Sequence, residues 1–167
     1  MTSPLASRTF NGLRVTALAL QRERLVDRVA ILDLDHHWGN GTEDIIARLG
    51  IEWIRHETPG GRHPERKDAA PYLAQLGDLV AGFADCQVLL YQAGADAHIR
   101  DPLGGWMTSD QLAERDRIVF ETATRVGLPV AWNLAGGYQV DAGGGISPVL
   151  EIHRRTMQAC VKAFVGA

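Results

Sequence analysis

Three observations in the sequence predict an α/β fold in three layers, a mostly parallel sheet with helices on both faces. Val29-Ala30-Ile31-Leu32, Gln87-Val88-Leu89-Leu90-Tyr91 and Leu128-Pro129-Val130-Ala131-Trp132-Asn133-Leu134 are short apolar runs bounded by charge or glycine. Such runs read as strands buried on both faces. Longer stretches of helical period stand between them, the alternation of βαβ units. Each run ends in polar or glycine-rich sequence, at the carboxyl end of its strand, where open α/β sheets place their ligands.

In chain order, Asn11 caps a helix over 11–26 with Leu13, Ala17 and Leu20 on one face, Leu25 a further candidate, and Arg14, Arg22 and Glu23 outward. It feeds the strand over 29–32. Thr42 caps a short helix over 43–49, and Gly50 takes the left-handed position that ends it. Residues 51–56 alternate weakly and read as another strand. Pro59, Gly60, Gly61 and Pro64 make 58–68 a loop beside the crevice, with Arg62 and His63 in it. His63 reads as an exposed loop residue or, alternatively, as a base. A helix over 69–84 turns Leu73, Leu76, Val80 and Phe83 inward. The loop 96–106 follows the second strand, and His98 packs against it or hydrogen-bonds within it. Thr108 and Gln111 form a capping box for a helix to 126, closed by Gly127, with Leu112, Val119 and Ala123 inward. Residues 141–145 form a turn, and Ser147-Pro148 opens the last helix with proline at a tolerated position.

At 167 residues the chain is sized for a single domain, 1–167, with no internal repeat and no linker. Hydrophobic content of 46% and charged content of 22% argue against disorder. A net charge of −3 offers no basic surface for nucleic acid. No segment approaches the roughly 18 consecutive apolar residues of a membrane span. The first ten residues lack the order of a signal peptide, so cytoplasm is the expected location. Cys86 and Cys160 fit a reducing compartment and are expected to be buried.

The candidate chemistry follows the first strand, in Asp33-Leu34-Asp35-His36-His37-Trp38-Gly39-Asn40-Gly41. In an extended segment Asp35 and His37 lie on one side and can converge on a cation, and oxygen with imidazole suits zinc or another first-row metal better than calcium. A lone Asp-x-His is equally well explained by Asp35 capping a turn and His37 hydrogen-bonding. The other two strands, however, bring Asp96 and Tyr138 to the same edge. Three protein ligands and one open position form the pattern of a catalytic zinc, whose bound water has a pKa of about 7. Tyr138, after two glycines, is a functional phenol or a buried one.

Asp33-Leu34-Asp35-x-His37 with Gly39-x-Gly41, then Gln92-x-Gly94-Ala95-Asp96 with Asp101-Pro102-Leu103-Gly104, then Leu134-x-Gly136-Gly137-Tyr138, resemble in order and spacing the zinc-dependent histone deacetylase superfamily. The likeness is strongest to its bacterial acetylpolyamine amidohydrolase and acetoin-utilisation-like members, and it runs from Thr9 nearly to the carboxyl end. It implies an arginase/deacetylase-like fold and a deacylase of N-acetylated lysine or a small acetylated polyamine. By the same resemblance Asp35, His37 and Asp96 are zinc ligands, with iron the alternative metal, and Tyr138 polarises the scissile carbonyl. Asp33, Asn40, Asp101, Leu103, Gly136 and Gly137 occupy the positions around metal and substrate. Asp33 matches a histidine-orienting carboxylate that also holds a structural potassium ion, while Asn40 is neutral where the second such carboxylate is expected.

The departures are as specific. The family's His-His general base lies upstream of Thr9, whereas residues 1–8 contain no histidine and read as a non-homologous start. The chain therefore resembles the carboxyl-terminal half of such an enzyme, amino-terminally truncated. Ile54 stands at a side-chain ligand of the structural cation, and Ser7 where an aromatic tunnel wall is expected. Loss of a general base costs about 10²–10⁴ in rate, so a non-catalytic metal- and acyl-amine-binding remnant is the alternative. Missing amino-terminal strands would leave an open sheet edge, and a homodimer or partner chain is expected to cover it.

Overall fold

The computed structural model of the protein describes residues 11–37, 39–59 and 64–166. Residues 1–8 with Ser7, and Arg62 with His63, lie outside the described residues, as does the side chain of Asn40.

Among the described residues four parallel strands, β1 (Val29–Asp33), β2 (Ile54–Glu57), β3 (Val88–Gly94) and β4 (Val130–Ala135), form one sheet in the order β2-β1-β3-β4. Alternate residues of each strand face opposite sides, and both sides are apolar. Val29, Ile31, Ile54 and Leu90 pack with Ala17 of α1 (Gly12–Arg22) and Ile46 of α2 (Asn40–Leu49). Ala30, Leu32, Leu89, Tyr91 and Ala93 pack with Leu76 and Val80 of α3 (Ala69–Ala81), Val119, Phe120 and Ala123 of α4 (Ser109–Arg125), and Ala159 and Cys160 of α5 (Ser147–Val165). The result is the three-layer arrangement, and it explains why the central strands β1 and β3 are continuous apolar runs, whereas the run that forms β4 lies at an edge and is only partly buried.

Local signals account for most element ends. Asn11 Oδ1 accepts from Arg14 N at 3.2 Å, Gly50 sits at φ 58 and ψ 39, and Thr108 with Gln111 makes the reciprocal capping box. The helix expected over 69–84 ends at Ala81 and the strand expected over 51–56 is Ile54–Glu57, and two further expectations need correction. First, α1 stops at Arg22, four residues before 26, because Arg24 turns left-handed at φ 59 while Arg24 N bonds Gln21 O and Leu25 N bonds Leu20 O. That pairing is a Schellman closure, and it throws Leu25 into solvent. Arg14 in turn is buried, not outward, because it lies one turn before Ala17 on the same face. Second, α2 begins at Asn40, so Thr42 lies in its first turn instead of capping it. The buried Thr42 hydroxyl accepts from Asn11 Nδ2 at 2.6 Å and ties the starts of α1 and α2 together.

Cys86 is buried and Cys160 half-buried, both as free thiols. Among the described residues no helix is long and apolar enough to cross a membrane. The two sheet edges differ. β2 is four residues long and carries Arg55, His56 and Glu57, whereas β4 is six long and exposes Asn133 and Leu134.

Candidate metal centre

β1 ends at Asp33, and the chain then turns sharply. Asp35 N donates to Asp33 Oδ1 at 3.3 Å and His37 N to Asp35 Oδ1 at 2.7 Å, so 35–37 is a bend held by aspartates. The extended arrangement expected for Asp35 and His37 is thus replaced by a turn, because each carboxylate captures a backbone N–H two residues on. Convergence survives the change. Gln92, opposite Asp33 in the β1–β3 register, donates from Nε2 to Asp33 Oδ1 and Asp35 Oδ2, both at 2.8 Å.

Asp96 enters from the turn after β3 and is fully buried, at 0% exposure. Its Oδ1 accepts from His36 N at 3.1 Å, and its Oδ2 lies 2.9 Å from His37 Nδ1. Burial pushes the Asp96 carboxyl up from its ordinary value, with the His36 N–H and His37 acting against that shift. One ligand atom from each of Asp35, His37 and Asp96 lies within 4.8 Å of the other two. Two carboxylates and an imidazole, one carboxylate wholly desolvated, form a donor set that fits a first-row divalent cation. The half-exposed His37 side chain, at 50%, leaves that point open to solvent.

Two glycines make the convergence sterically feasible. A Cβ on Gly94 would lie 2.2 Å from Asp35 Cα, and one on Gly136 would lie 2.4 Å from Asp96 Cγ. Gly136 and Gly137 also have φ of 58° and 97°, the left-handed region that favours glycine. Beyond them Tyr138 N donates to Asp101 Oδ2 at 2.8 Å, while Asp101 Oδ1 accepts from Leu103 N at 3.0 Å. Buried Asp101 therefore joins the loop after β3 to the loop after β4 and fixes the backbone of Tyr138 beside the centre. The Tyr138 side chain is 48% exposed, not a buried phenol. It lines a cavity of about 440 Å³ with Arg100, Pro102, Gln139, Val140, Asp141 and Pro148, which Asp35, His37 and Asp96 do not line. Leu103 is exposed, and Asp33 is buried under Gln92. Ile54 is core, next to Val29.

His98 behaves as the plainer reading expects. Arg100 N donates to its Nδ1 at 3.2 Å, which leaves the proton on Nε2 for Ser109 Oγ at 2.9 Å. It pins the loop to the start of α4. Two contributors escape motif reading, the His36 backbone N–H on Asp96 and the buried pair Arg115–Asp116 under the centre. Their sequence signal is a charged pair interrupting the apolar stripe of Leu112, Val119 and Ala123.

The profile of the histone deacetylase domain matches residues 9–54 and 63–149. Acetylpolyamine amidohydrolase 1 of Pseudomonas aeruginosa is 31% identical over 148 residues, which cover 70% of this chain and 41% of that protein. An uncharacterised protein of Picosynechococcus sp. is also 31% identical over 148 residues, with 77% of this chain and 49% of that one covered. The crystal structure of the HDA15 HD domain superposes with a TM-score of 0.64 at 20% identity, covering 94% of this chain and 51% of that chain. The chain spans about half the length of the curated relatives it matches.

Proposed function

The chain belongs to the histone deacetylase superfamily, and from that premise we propose that it is a metal-dependent deacylase of N-acetylated amines, of the acetyl-lysine or acetylpolyamine type, with zinc as its metal. The observation that carries this reading is the meeting of Asp35, His37 and Asp96 within 4.8 Å at the carboxyl ends of parallel strands. Bound there, zinc would supply Lewis-acid polarisation of an amide carbonyl and acidify water.

The chain's own residues supply the rest. Gln92 holds Asp33 and Asp35 in place through its amide hydrogens. The His36 N–H engages Asp96 Oδ1, so Oδ2 is the oxygen turned to His37. Asp101 fixes the Tyr138 backbone, and the half-exposed phenol is the donor assigned to the oxyanion that develops at the carbonyl carbon. The resemblance of 31% to an acetylpolyamine amidohydrolase supports the amine class of substrate. A cytoplasmic setting agrees with two free cysteines.

A second reading, binding without turnover, has its own support. Among the described residues His98 is committed to Ser109 and Arg100, and His153 is buried on α5, so neither is assigned as general base. The decisive experiment is zinc analysis of the purified chain together with hydrolysis of acetyl-lysine and acetylpolyamine substrates. Stoichiometric zinc and turnover abolished by Tyr138→Phe are expected for the enzyme. Zinc without turnover selects the binding reading. Asp96→Ala should remove the zinc, and full occupancy in that variant would refute the assignment.

A further inference from the structure

We infer that Arg115 is a positioning residue, whose buried guanidinium bolts the carboxyl ends of β1 and β3 together and so sets the spacing of Asp35 and Asp96. The inference rests on the metal reading of those two carboxylates.

Arg115 is 1% exposed on the inner face of α4, an unusual place for a charge. The β1–β3 pairing runs to Asp33 opposite Gln92, and Leu34 N reaches Gln92 O at 3.1 Å. Past that point the pairing register stops, although the two chains stay in close contact where Gly94 meets Asp35. Arg115 Nη1 takes over there, donating to Leu34 O at 3.1 Å and to Gly94 O at 2.9 Å. Leu34 immediately precedes Asp35, and Gly94 stands two residues before Asp96. One nitrogen thus replaces the next rung of the ladder, directly behind both carboxylate ligands.

The guanidinium is itself clamped. Its Nε donates to Asp116 Oδ1 at 2.8 Å, the Tyr91 hydroxyl donates to the same carboxylate, and Thr156 Oγ1 donates to Asp116 Oδ2 at 2.5 Å. β3, α4 and α5 therefore all fix the fork that holds the strand ends. Packing alone does not call for this arrangement, since a buried ion pair is commonly matched or bettered in stability by apolar residues of similar volume. What an apolar pair cannot do is hydrogen-bond the carbonyls of Leu34 and Gly94 beside two metal ligands.

The test loads the full chain with cobalt(II), whose visible d–d bands report ligand geometry, and measures its affinity by chelator competition. Arg115→Lys keeps a cation but offers a single nitrogen, which cannot hold both carbonyls and the Asp116 carboxylate as the separate nitrogens of the guanidinium do. It should weaken cobalt binding about tenfold or more, as loss of outer supports to metal ligands does, and shift the d–d bands. Thr156→Val loosens Asp116 without touching Arg115 or a ligand, and should move both readouts in the same direction by less. Val80→Ala, a core truncation on α3, controls for lost stability and should leave the bands unmoved. A folded Arg115→Lys with parental affinity and spectrum overturns the inference. Should that variant not fold, parental behaviour in Thr156→Val overturns it. So does an equal change in the Val80→Ala control. A parent chain that binds no cobalt overturns the metal reading itself, an outcome distinct from all of these.

Discussion

Gly136 decides how close the third strand end can come to Asp96. A methyl there would sit 2.4 Å from Asp96 Cγ and 2.5 and 2.8 Å from its oxygens, on a backbone with φ of 58°. Either the carboxylate or the loop must shift. Gly136→Ala is therefore expected to weaken zinc binding by about tenfold or more while the sheet stays folded, measured by chelator competition alongside circular dichroism. Unchanged affinity would show that Asp96 does not depend on this contact. The meeting of Asp35, His37 and Asp96 was readable in advance because each follows an apolar strand, a relation that one-dimensional order preserves. Arg115 was not readable as a contributor, since its partners Leu34 and Gly94 lie 81 and 21 residues away and contribute only backbone carbonyls, which no side-chain motif records.

Elements ended by a local device were predictable to within a residue or so, and those ended by an unusual conformer were not. Gly50 and Gly127, at φ of 58° and 70°, close α2 and α4 as glycine is suited to do. The end of α1 went unread because an arginine, Arg24, occupies the corresponding left-handed place. For α4 the box is explicit, with Thr108 Oγ1 accepting from Gln111 N at 3.2 Å and Gln111 Oε1 from Thr108 N at 2.9 Å. Thr108→Ala removes the half that Oγ1 accepts while the backbone N–H of residue 108 keeps its bond to Gln111, and should cost about 1 kcal/mol, or roughly 2–4 °C in melting temperature for a chain of this size. Because α4 also carries Arg115, metal affinity in that variant should follow the same order as its stability. A melting temperature equal to the parent's would mean that tertiary packing alone fixes the start of α4.

For the whole molecule, layer order and parallel strands followed from the alternation of apolar runs with helical stretches, but sheet boundaries depend on what lies beside β4. Among the described residues that strand ends the sheet with Leu134 exposed, and α5, which follows it in the chain, exposes Leu150, Met157 and Val161 at i, i+7 and i+11, one face of the helix. Exposed edges and apolar stripes of this kind pair with other chains. Stability should also respond to acid. Burial pushes the His56 and His153 imidazoles below their ordinary value, with Glu43 partly opposing it at His56, and Arg115 adding to it and Asp116 opposing it at His153. Above a pH of about 6.5 both are neutral folded or unfolded, and their contribution is complete. As pH falls below that, the unfolded chain takes up protons that the folded chain refuses, so stability is lost through the lowered folded pKa values. Thermal melts of chelator-treated protein should fall steadily from pH 7 to 5, and a flat profile would mean that neither imidazole is truly desolvated.

Association and acid sensitivity can be separated, because the exposed stripe on α5 contains neither histidine. Sedimentation velocity at micromolar concentration is expected to show associated species for the parent chain, and a clean monomer would remove the argument from the open edge. Leu150→Glu with Val161→Glu changes two exposed positions and no buried one. The pair should therefore shift the chain toward monomer while leaving the pH profile of its melting temperature in place. If monomerisation instead abolished metal binding, the open edge of β4 would be coupled to the centre at its carboxyl end.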